Sequence, residues 1–509
     1  MKKKMIALLM AGVMAVGMLA GCGSTNGSSQ SESSTKQSSA ESETKSTVVE
    51  SSTEEVKEEP VTVTWWMYGG AADEHDLVME ELNKLLIEKI NVKLDLVMIA
   101  SSEFDEKVRL ASMAGEDFDL VWTSNWKNHF DANVSRDAFM AIEDIVAEYG
   151  QEMVASMPDG LLDVGKVDGH LYAIPNQQIL ARQLGVYVQK EYAEKYNLTL
   201  THIDDISEMY DFFDQIVANE PDVWPLLGTK GMTLSIETEK IYESLANGYV
   251  FIKKDDDNLT AVPEVIAREE LFRTQNEWYK RGYVQPDFAT VTDTTANAKA
   301  GKYICHLATY KPGGAEEVSN QQGREYIVIP AGEPYLQATS GQETMTAVNV
   351  NSKNPEAAVK LLNLVYTDKE VFNMLLSGIE GVHYNKIDDT HIQTVENCKY
   401  NYAGNAWKFG NQFLAYYNPQ QIAGTWEETD KMNRESEVSL IRGFAFDSTN
   451  VQAELAQLDA VSAEFSKGQY IAEDIDAWMK ERADKLEKAG LSKVVAEVQA
   501  QLDAWKASK

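Results

Sequence analysis

The chain has 509 residues, with 80 acidic against 46 basic side chains, and its formal net charge is -34 at pH 7. A surface this acidic repels a phosphate backbone, which argues against nucleic acid as a partner. About 450 residues follow a polar N-terminal stretch, enough for two lobes with separate hydrophobic cores, and none of them belongs to an apolar run long enough to span a bilayer.

The N-terminus has the pattern of an export signal. Lys2, Lys3 and Lys4 precede the apolar run of residues 5–19, which is too short to span a membrane comfortably. The run ends in "LAGC", which resembles the lipobox of bacterial lipoproteins, where a peptidase cleaves before the cysteine and the thiol carries a diacylglycerol. We therefore expect a signal peptide over residues 1–21 and lipid attachment at Cys22. The alternative is a secretory signal with an incidental cysteine.

Residues 22–59 consist mainly of Ser, Thr, Glu, Lys and Gln. Such a segment buries too little apolar surface to offset the conformational entropy that it would lose on ordering. We expect a flexible tether that holds the folded part on the extracytoplasmic face of the cell membrane.

The folded part begins with alternating strands and helices. The stretches "VTVTWWM", "NVKLDLVMI" and "DFDLVWTSN" have the composition of strands, and helical periodicity occupies the two segments between them. This order predicts a parallel sheet covered by helices on both faces, in which ligands bind beyond the carboxyl ends of the strands. Residues 66–70 and 123–126 occupy such ends.

Further along the chain, "VDGHLYAIP" at residues 167–175 has the pattern of a segment that leaves one sheet for another. Asn354 is placed as an N-cap and Pro355 as the first helical residue of a strongly periodic helix. The tail from Asn450 predicts a series of helices rich in Ala, Leu, Glu and Lys.

Taken together, these features resemble a known family. The lipobox, the tether, "TWWMYGG", "DGHLYAIP" and "NSKNPEAAVKLLNLVYTDKE" resemble, in this order, the extracellular solute-binding proteins of ABC importers, and among them the family-1 proteins that include the maltodextrin binders. "GIEGVHY" and "NAWKFGNQFLAYYNPQQ" resemble a lipoprotein subgroup that has its own C-terminal domain.

The resemblance implies an α/β, two-lobed, periplasmic-binding-protein-like (Venus-flytrap) fold. Each lobe would be a mainly parallel sheet flanked by helices, with extra helices at the C-terminus. The chain would cross between lobes near residues 176–184, 342–347 and 381–386. Lobe 1 would comprise 60–178 plus 345–383, and lobe 2 would comprise 179–344 plus 384–509.

The same resemblance implies a function. A solute, here a carbohydrate and preferably an oligosaccharide, would be captured between the lobes and delivered to the permease subunits of an ABC transporter. The protein would act as a monomer, without a cofactor or a metal. The alternatives are a surface glycan-binding or sensory lipoprotein without a transport role, and a lipid-anchored glycoside hydrolase.

Sugars have polar edges and apolar C–H faces, so the residues expected to bind them are aromatic platforms and fixed hydrogen-bonding side chains near the cleft. We expect these contacts from Trp66, Tyr68, Asn125 and Trp126 in lobe 1, from Asn176, Gln177, Arg182, His383 and Tyr384 at the crossings, from Tyr310 in lobe 2, and from Trp407, Asn411 and Trp426 in the C-terminal segment.

Each of these residues also has a purely structural interpretation. Trp65 and Trp66 point to opposite faces of their strand, so we place Trp65 in the core and Trp66 at the cleft. Arg182 could form an ion pair, and His383 could cap a helix. Tyr310 stands where the maltodextrin binders carry a stacking tryptophan, which leaves the class of ligand open.

Other sequence features leave alternatives or argue against catalysis. Cys305 and Cys398 could form a disulfide or remain two buried thiols. The acidic run at residues 255–258 lacks the glycine and the twelfth-position Glu of an EF-hand loop. No nucleophile elbow, zinc helix or phosphate loop is present, and Glu427 and Asp447 are only nominal candidates for a hydrolase carboxylate pair.

Overall fold

A computed structural model of the chain describes residues 59–228, 235–287, 294–466 and 468–508. The predicted signal peptide and most of the predicted tether, including Cys22, lie outside the described residues. In the part that is described, no helix combines the length and the apolar character needed to cross a membrane.

The elements follow one another in three stretches of chain. The first contains β1 (Val61–Tyr68), α1 (His75–Ile90), β2 (Val92–Ile99), α2 (Phe104–Ala114), β3 (Leu120–Thr123), α3 (Phe130–Val134), α4 (Glu143–Tyr149), α5 (Gln151–Ser156), β4 (Lys166–Val167), β5 (His170–Leu171) and β6 (Ala173–Pro175).

The second stretch contains β7 (Arg182–Gln189), α6 (Lys190–Lys195), α7 (Tyr210–Asn219), β8 (Trp224–Leu226), α8 (Ile236–Ile241), β9 (Tyr242–Leu245), β10 (Val250–Lys253), β11 (Val262–Pro263), α9 (Glu264–Ala267), α10 (Glu269–Lys280), α11 (Thr295–Lys299), β12 (Tyr303–Thr309), α12 (Gly314–Gln322) and β13 (Tyr326–Leu336).

The third stretch contains β14 (Met345–Val348), α13 (Pro355–Thr367), α14 (Lys369–Ser377), β15 (Tyr384–Lys386), β16 (Ile392–Thr394), α15 (Thr425–Glu435), β17 (Glu437–Val438), α16 (Gln452–Phe465), α17 (Gly468–Ile471), α18 (Ile475–Lys488) and α19 (Leu491–Ala507).

Two five-stranded sheets organise the two lobes. The first has the order β2-β1-β3-β14-β6 and the second β17-β13-β7-β12-β8. Both are mixed: β1 is parallel to β2 and β3, whereas β14 is antiparallel to β3 and β6. The expectation of mainly parallel sheets needs this correction. Strand β14 arrives from lobe 2 at the carboxyl end of β3, so it has to run along β3 in the opposite direction.

Strand β1 buries both of its tryptophans. Trp65 is fully buried, as predicted, with its ring edge-on to Phe409 at 5.8 Å. Trp66 is only 8% exposed, because it lies on the face covered by α2, where it stacks on Phe118 at 4.3 Å. The structure therefore places Trp66 in the core and not at the cleft, contrary to the expectation from strand alternation.

The core of lobe 1 extends beyond the predicted boundary at residue 383. Tyr400, Tyr402, Ala406, Phe409 and Ala415 belong to the same buried cluster as β1, β3 and α13. This packing contradicts the assignment of the whole of 384–509 to lobe 2. Because these side chains bury their apolar surface against the first sheet, residues 400–415 belong to lobe 1.

The third crossing lies later in the chain than predicted. His383 is 1% exposed and holds residues 379–383 against the start of α1 through Glu74, so the chain stays on lobe 1 at 381–386. The passage to lobe 2 is made by α15 and by β17, which pairs in parallel with β13. The sequence of α15 did not reveal this role. The two ends of the helix contact parts of the chain that are distant in sequence, and a local pattern does not report such contacts.

Lobe 2 has two cores. One lies around β7, β12 and α7, and includes Phe213, Trp278 and Tyr283. The other joins the small sheet β11-β10-β9 to α16, α18 and α19 through Val250, Leu458 and Val498 among others. The predicted C-terminal helices therefore form an apolar unit with β9–β11.

The two cysteines of the described chain are separate thiols. Cys305 is buried in the second lobe on β12, and Cys398 lies on lobe 1, where its thiol is 2.9 Å from the carbonyl oxygen of Tyr400. Of the two alternatives left open by the sequence, the structure has the free thiols.

We predict that Trp66→Ala lowers the free energy of unfolding by about 3–5 kcal/mol, because it removes a large ring from a packed interface between the sheet and α2. Urea unfolding of the purified variant measures this loss. Leu110→Ala is the control, since Leu110 is 51% exposed on α2 and its truncation should cost no more than about 0.5 kcal/mol. A loss for Trp66→Ala as small as that of the control would show that the ring does not contribute to the core.

Candidate functional site

Four aromatic rings meet at the carboxyl ends of β1 and β3. This aromatic cluster consists of Tyr68, Trp122, Trp126 and Trp407. The Tyr68 centroid lies 4.5 Å from that of Trp122, 5.9 Å from Trp126 and 6.4 Å from Trp407, and Trp122 lies 5.5 Å from Trp126. All four of these pairs are edge-to-face or tilted, which is the favourable arrangement of two ring quadrupoles.

Trp126 is the exposed member of the cluster and is held rigidly. Its side chain is 48% exposed, and its indole Nε1 donates to the carbonyl oxygen of Glu343 at 2.9 Å. The turn that carries it is fixed because Ser124 Oγ accepts the backbone N–H groups of Trp126 and Lys127. Trp126 therefore offers a pre-positioned apolar ring face to solvent, beside the exposed side chain of Asn125.

Lys408 lies beneath the cluster and was not predicted from the sequence. It is 7% exposed, its Nζ lies 3.8 Å from the Tyr68 ring centroid, and it donates to the carbonyl oxygen of Tyr68 at 3.4 Å. Burial lowers the pKa of Lys408 to about 8 and raises that of Tyr68 to about 12. In the sequence, its only sign was its position directly after Trp407.

The predicted amide donors at the first crossing are used inside the protein. The side-chain Nδ2 of Asn176 donates to Thr344 Oγ1 at 2.8 Å and to the carbonyl oxygen of Trp407 at 3.1 Å, and its Oδ1 accepts from the Tyr366 hydroxyl. Gln177 Nε2 donates to Ser156 Oγ at 2.7 Å. Both side chains are buried, so they fasten segments of the chain together and do not face a cleft.

Asn411 behaves in the same way. Its Nδ2 donates to the carbonyl oxygen of Tyr366 at 3.1 Å, and its Oδ1 accepts the backbone N–H of Phe413. The backbone N–H of Gln177 donates to Gly410, and that of Gln412 donates to Gln177. This segment is therefore bound to the first crossing as a short ladder.

The charged residues expected at the crossings are also paired. Arg182 forms a two-pronged ion pair with Glu239, at 2.8 and 2.6 Å, which is the structural alternative stated above. His383 Nδ1 accepts the backbone N–H of Ile379, so its Nε2 carries the proton that it shares with Glu74 at 3.0 Å. Neither side chain is free for a ligand in this structure.

The remaining predicted residues lie apart from the aromatic cluster. Tyr384 is 6% exposed and packs near Tyr416, and Trp426 stacks on Tyr417 with its indole N–H on the carbonyl oxygen of Ala415. Tyr310 is half-buried at the end of β12, and its backbone N–H donates to Gln183. Of the thirteen predicted residues, the structure brings together Tyr68, Trp126 and Trp407, with Asn125 beside them.

The two nominal hydrolase carboxylates do not form a pair. Glu427 accepts from the Tyr417 hydroxyl on α15, whereas Asp447 accepts from the backbone N–H and the hydroxyl of Thr449, ahead of α16. Asp447 faces Asp131 of lobe 1 instead. Although the Asp131 side chain is exposed, the surrounding protein desolvates it and raises its pKa, and the negative charge of Asp447 adds to this rise, which His129 partly offsets.

The described residues contain no group of His, Cys, Asp or Glu side chains placed to hold a metal ion. In the acidic run, Asp256 accepts the backbone N–H groups of Asn258 and Thr260. The Thr260 side chain, together with these backbone N–H groups, lowers the pKa of Asp256 to about 2, and the bonds account for the run as a closed turn.

Comparison with known proteins places these features in a family. The model of the bacterial extracellular solute-binding proteins matches residues 71–371, and a domain of unknown function (DUF3502) matches residues 440–507. A carbohydrate ABC transporter substrate-binding protein of Streptococcus pneumoniae is 24% identical over 461 residues, which are 89% of this chain and 92% of the relative. The polygalacturonan/rhamnogalacturonan-binding protein YtcQ of Bacillus subtilis is 23% identical over 62% of this chain and 64% of its own length.

Among solved structures, the N-glycan transport solute binding protein NgtS of Streptococcus pneumoniae has the same fold. It matches with a TM-score of 0.74 at 22% identity, over 88% of this chain and 100% of the NgtS chain. The structure of NgtS in complex with Man1GlcNAc matches with a TM-score of 0.63 at 21% identity, over 87% and 99% of the two chains.

We predict that Lys408→Met raises the stability of the protein near pH 7, because a buried ammonium group is replaced by an apolar chain of similar length. The pKa of Lys408 is depressed in the folded state from its usual 10.5, so folding of the wild type is favoured as pH rises from about 8 towards 10.5. The advantage of the variant should therefore shrink over this range. Urea unfolding of both proteins at several pH values measures it.

The control for this experiment is Lys360→Met. Lys360 also lies over a tyrosine ring, with its Nζ 4.2 Å from the Tyr149 centroid, but on α13 and away from the aromatic cluster. An advantage of Lys408→Met that stays constant between pH 8 and 10 would contradict the assignment of a depressed pKa to Lys408.

Proposed function

Since the chain belongs to the bacterial extracellular solute-binding protein family, we propose that it captures an oligosaccharide between its two lobes and delivers it to the permease of an ABC importer. The observation that carries this proposal is Trp126, an exposed indole that hydrogen bonds hold in place at the carboxyl end of β3. The carbohydrate names of the relatives from Streptococcus pneumoniae and Bacillus subtilis support the choice of ligand class.

The chemistry of the aromatic cluster suits a sugar ring. A pyranose presents one apolar C–H face, which packs on an indole, while its hydroxyl groups remain at the edge. Trp126 offers the ring face, and Asn125 offers an exposed amide next to it. Because the indole N–H of Trp126 is already bonded to Glu343, the ring does not have to be immobilised when the ligand binds, which reduces the entropic cost of binding.

Closure of the lobes would complete the site. A ligand favours a closed state only through contacts that it makes better there. The lobe-1 contacts of the aromatic cluster exist in the structure described, and Tyr310 at the end of β12 is the lobe-2 residue that we propose would approach them.

We further propose that the protein acts as a monomer on the outer face of the cell membrane, held there by a lipid on Cys22 and by the tether of residues 22–59. The family is one of binding proteins, and we propose that the ligand is released unchanged. A panel of glycans incubated with the protein should therefore yield no new reducing ends.

We predict that Trp126→Ala weakens binding of the best glycan at least tenfold, because burial of an aromatic face contributes about 1.5–3 kcal/mol. Calorimetric titration with manno-oligosaccharides bearing GlcNAc and with oligogalacturonides measures the affinity. Trp126→Phe is the matched control and should retain most of it. The proposal fails if no glycan binds, or if Trp126→Ala binds as tightly as the wild type.

We also predict that Cys22→Ser releases the protein from the membrane, because serine does not accept the thioether-linked lipid. Fractionation of expressing cells into membrane and soluble material, with a fatty-acid label, measures the change. Unchanged membrane association without label in either protein would contradict the lipid anchor while leaving the binding proposal intact.

A further inference from the structure

Lys408 has more hydrogen-bonding capacity and more charge than its surroundings use. Its ammonium group carries three donors, and the one oxygen recorded beside it is the carbonyl of Tyr68 at 3.4 Å. Across the described part of the chain, no Asp or Glu oxygen lies within ion-pair distance of its Nζ. Its other neighbours are the rings of Tyr68 and Trp407, with centroids at 3.8 and 5.5 Å.

Other buried cations of this protein are treated differently. Arg482 is 6% exposed and is paired with Glu264 at 2.8 Å, and even the half-buried Arg182 is paired with Glu239. A buried charge without a counter-charge costs free energy, whereas a methionine would fill the same space without that cost. An unpaired ammonium group at this position therefore lowers the free energy of unfolding, and the stability of the fold does not explain why a lysine is present.

The position of Lys408 connects it to the aromatic cluster. Its Nζ lies at the carboxyl end of β1, where Gly69 and Gly70 turn the chain. A Cβ atom at Gly69 would lie 3.9 Å from the Nζ of Lys408 and 3.1 Å from the Met98 side chain, so the glycine lets the backbone turn close to the ammonium group. Lys408 thus lies next to the surface that Trp126 and Trp407 present.

We propose that Lys408 receives the carboxylate of an acidic sugar residue, a hexuronate or a sialate, when an oligosaccharide lies against the aromatic cluster. This inference rests on the proposed function. A carboxylate supplies both the acceptor oxygens and the missing counter-charge, whereas a hydroxyl group supplies oxygen lone pairs alone. Arg182, the cation expected from the sequence to hold a charged sugar, is already neutralised by Glu239.

The acidic surface of the protein does not oppose this preference at short range. Charges further from the site than about 8 Å are largely screened at physiological ionic strength. The ammonium groups that lie over the Tyr68 ring are those of Lys408 and Lys127, and the Nζ of Lys127 lies 6.0 Å from the ring centroid and 3.6 Å from Asp105.

The test compares each acidic glycan with its own neutral form. Trigalacturonate and sialyllactose are titrated calorimetrically into the mature chain at pH 7, each beside its methyl ester. We expect at least one acid to bind about tenfold more tightly than its ester, a preference of about 1.4 kcal/mol. Lys408→Met should abolish this preference and leave the affinity for the ester unchanged. Lys408→Arg should retain the preference, and Lys360→Met should leave it intact.

Four results would overturn the inference. If esters bind as tightly as acids, or if Lys408→Met weakens acid and ester equally, Lys408 only supports the Tyr68 ring and the proposed function stands. If neutral manno-oligosaccharides bind while neither acid does, the inference fails alone. If no glycan of any kind binds, the proposed function fails with it. Lys408→Gln, checked for cooperative unfolding, replaces Lys408→Met if the latter does not fold.

Discussion

The buried side-chain amide of Asn176 is the interaction on which the arrangement of this molecule depends. The amide donates to the Thr344 hydroxyl, just before β14, and to the carbonyl oxygen of Trp407 in the C-terminal segment. The backbone N–H of Asn176 also donates to the carbonyl oxygen of Thr344, so the first crossing is joined to both segments. An amide group without water must find partners within the protein, so its bonds fix the register of these segments as firmly as their apolar contacts do. Tyr366 completes the set from α13.

The aromatic cluster is a consequence of that fastening. Trp407 and Lys408 come from a part of the chain that is distant from β1 in sequence, since Lys408 follows Tyr68 by 340 positions. They reach the end of β1 because the neighbouring backbone is tied to Asn176 and Gln177. Hydrogen bonds of the first crossing thus position the aromatic cluster. Because they hold the backbone in place, the cluster is ordered before any ligand binds.

Local patterns predicted the elements well, and the resemblance to a family predicted the two lobes. Strand β1 and helices α1, α2 and α13 follow directly from periodicity, which depends on near neighbours, although none of the three helices has a side-chain hydrogen bond at its N-cap. The alternation of Trp65 and Trp66 was also correct, but α2 covers the second face of the strand, so alternation could not separate a core side chain from a cleft side chain.

What the sequence could not reveal depends on distant partners. Asn176, Gln177 and Asn411 are good hydrogen-bonding residues, and nothing local distinguishes an amide that waits for a ligand from one that holds a hinge. The same limit hid Lys408, since a lysine in an irregular segment is ordinarily solvated. It also concealed α15, whose Asn433 binds the backbone of Leu180 and Ala181 while β17 continues into the second sheet.

With α15 beside the other two crossings, the lobes are joined at three separate points, and a body attached in this way can rotate about one line but resists torsion. The lobe closure proposed above should therefore follow a single rotational coordinate, along which Trp126 and Tyr310 would approach on a repeatable path.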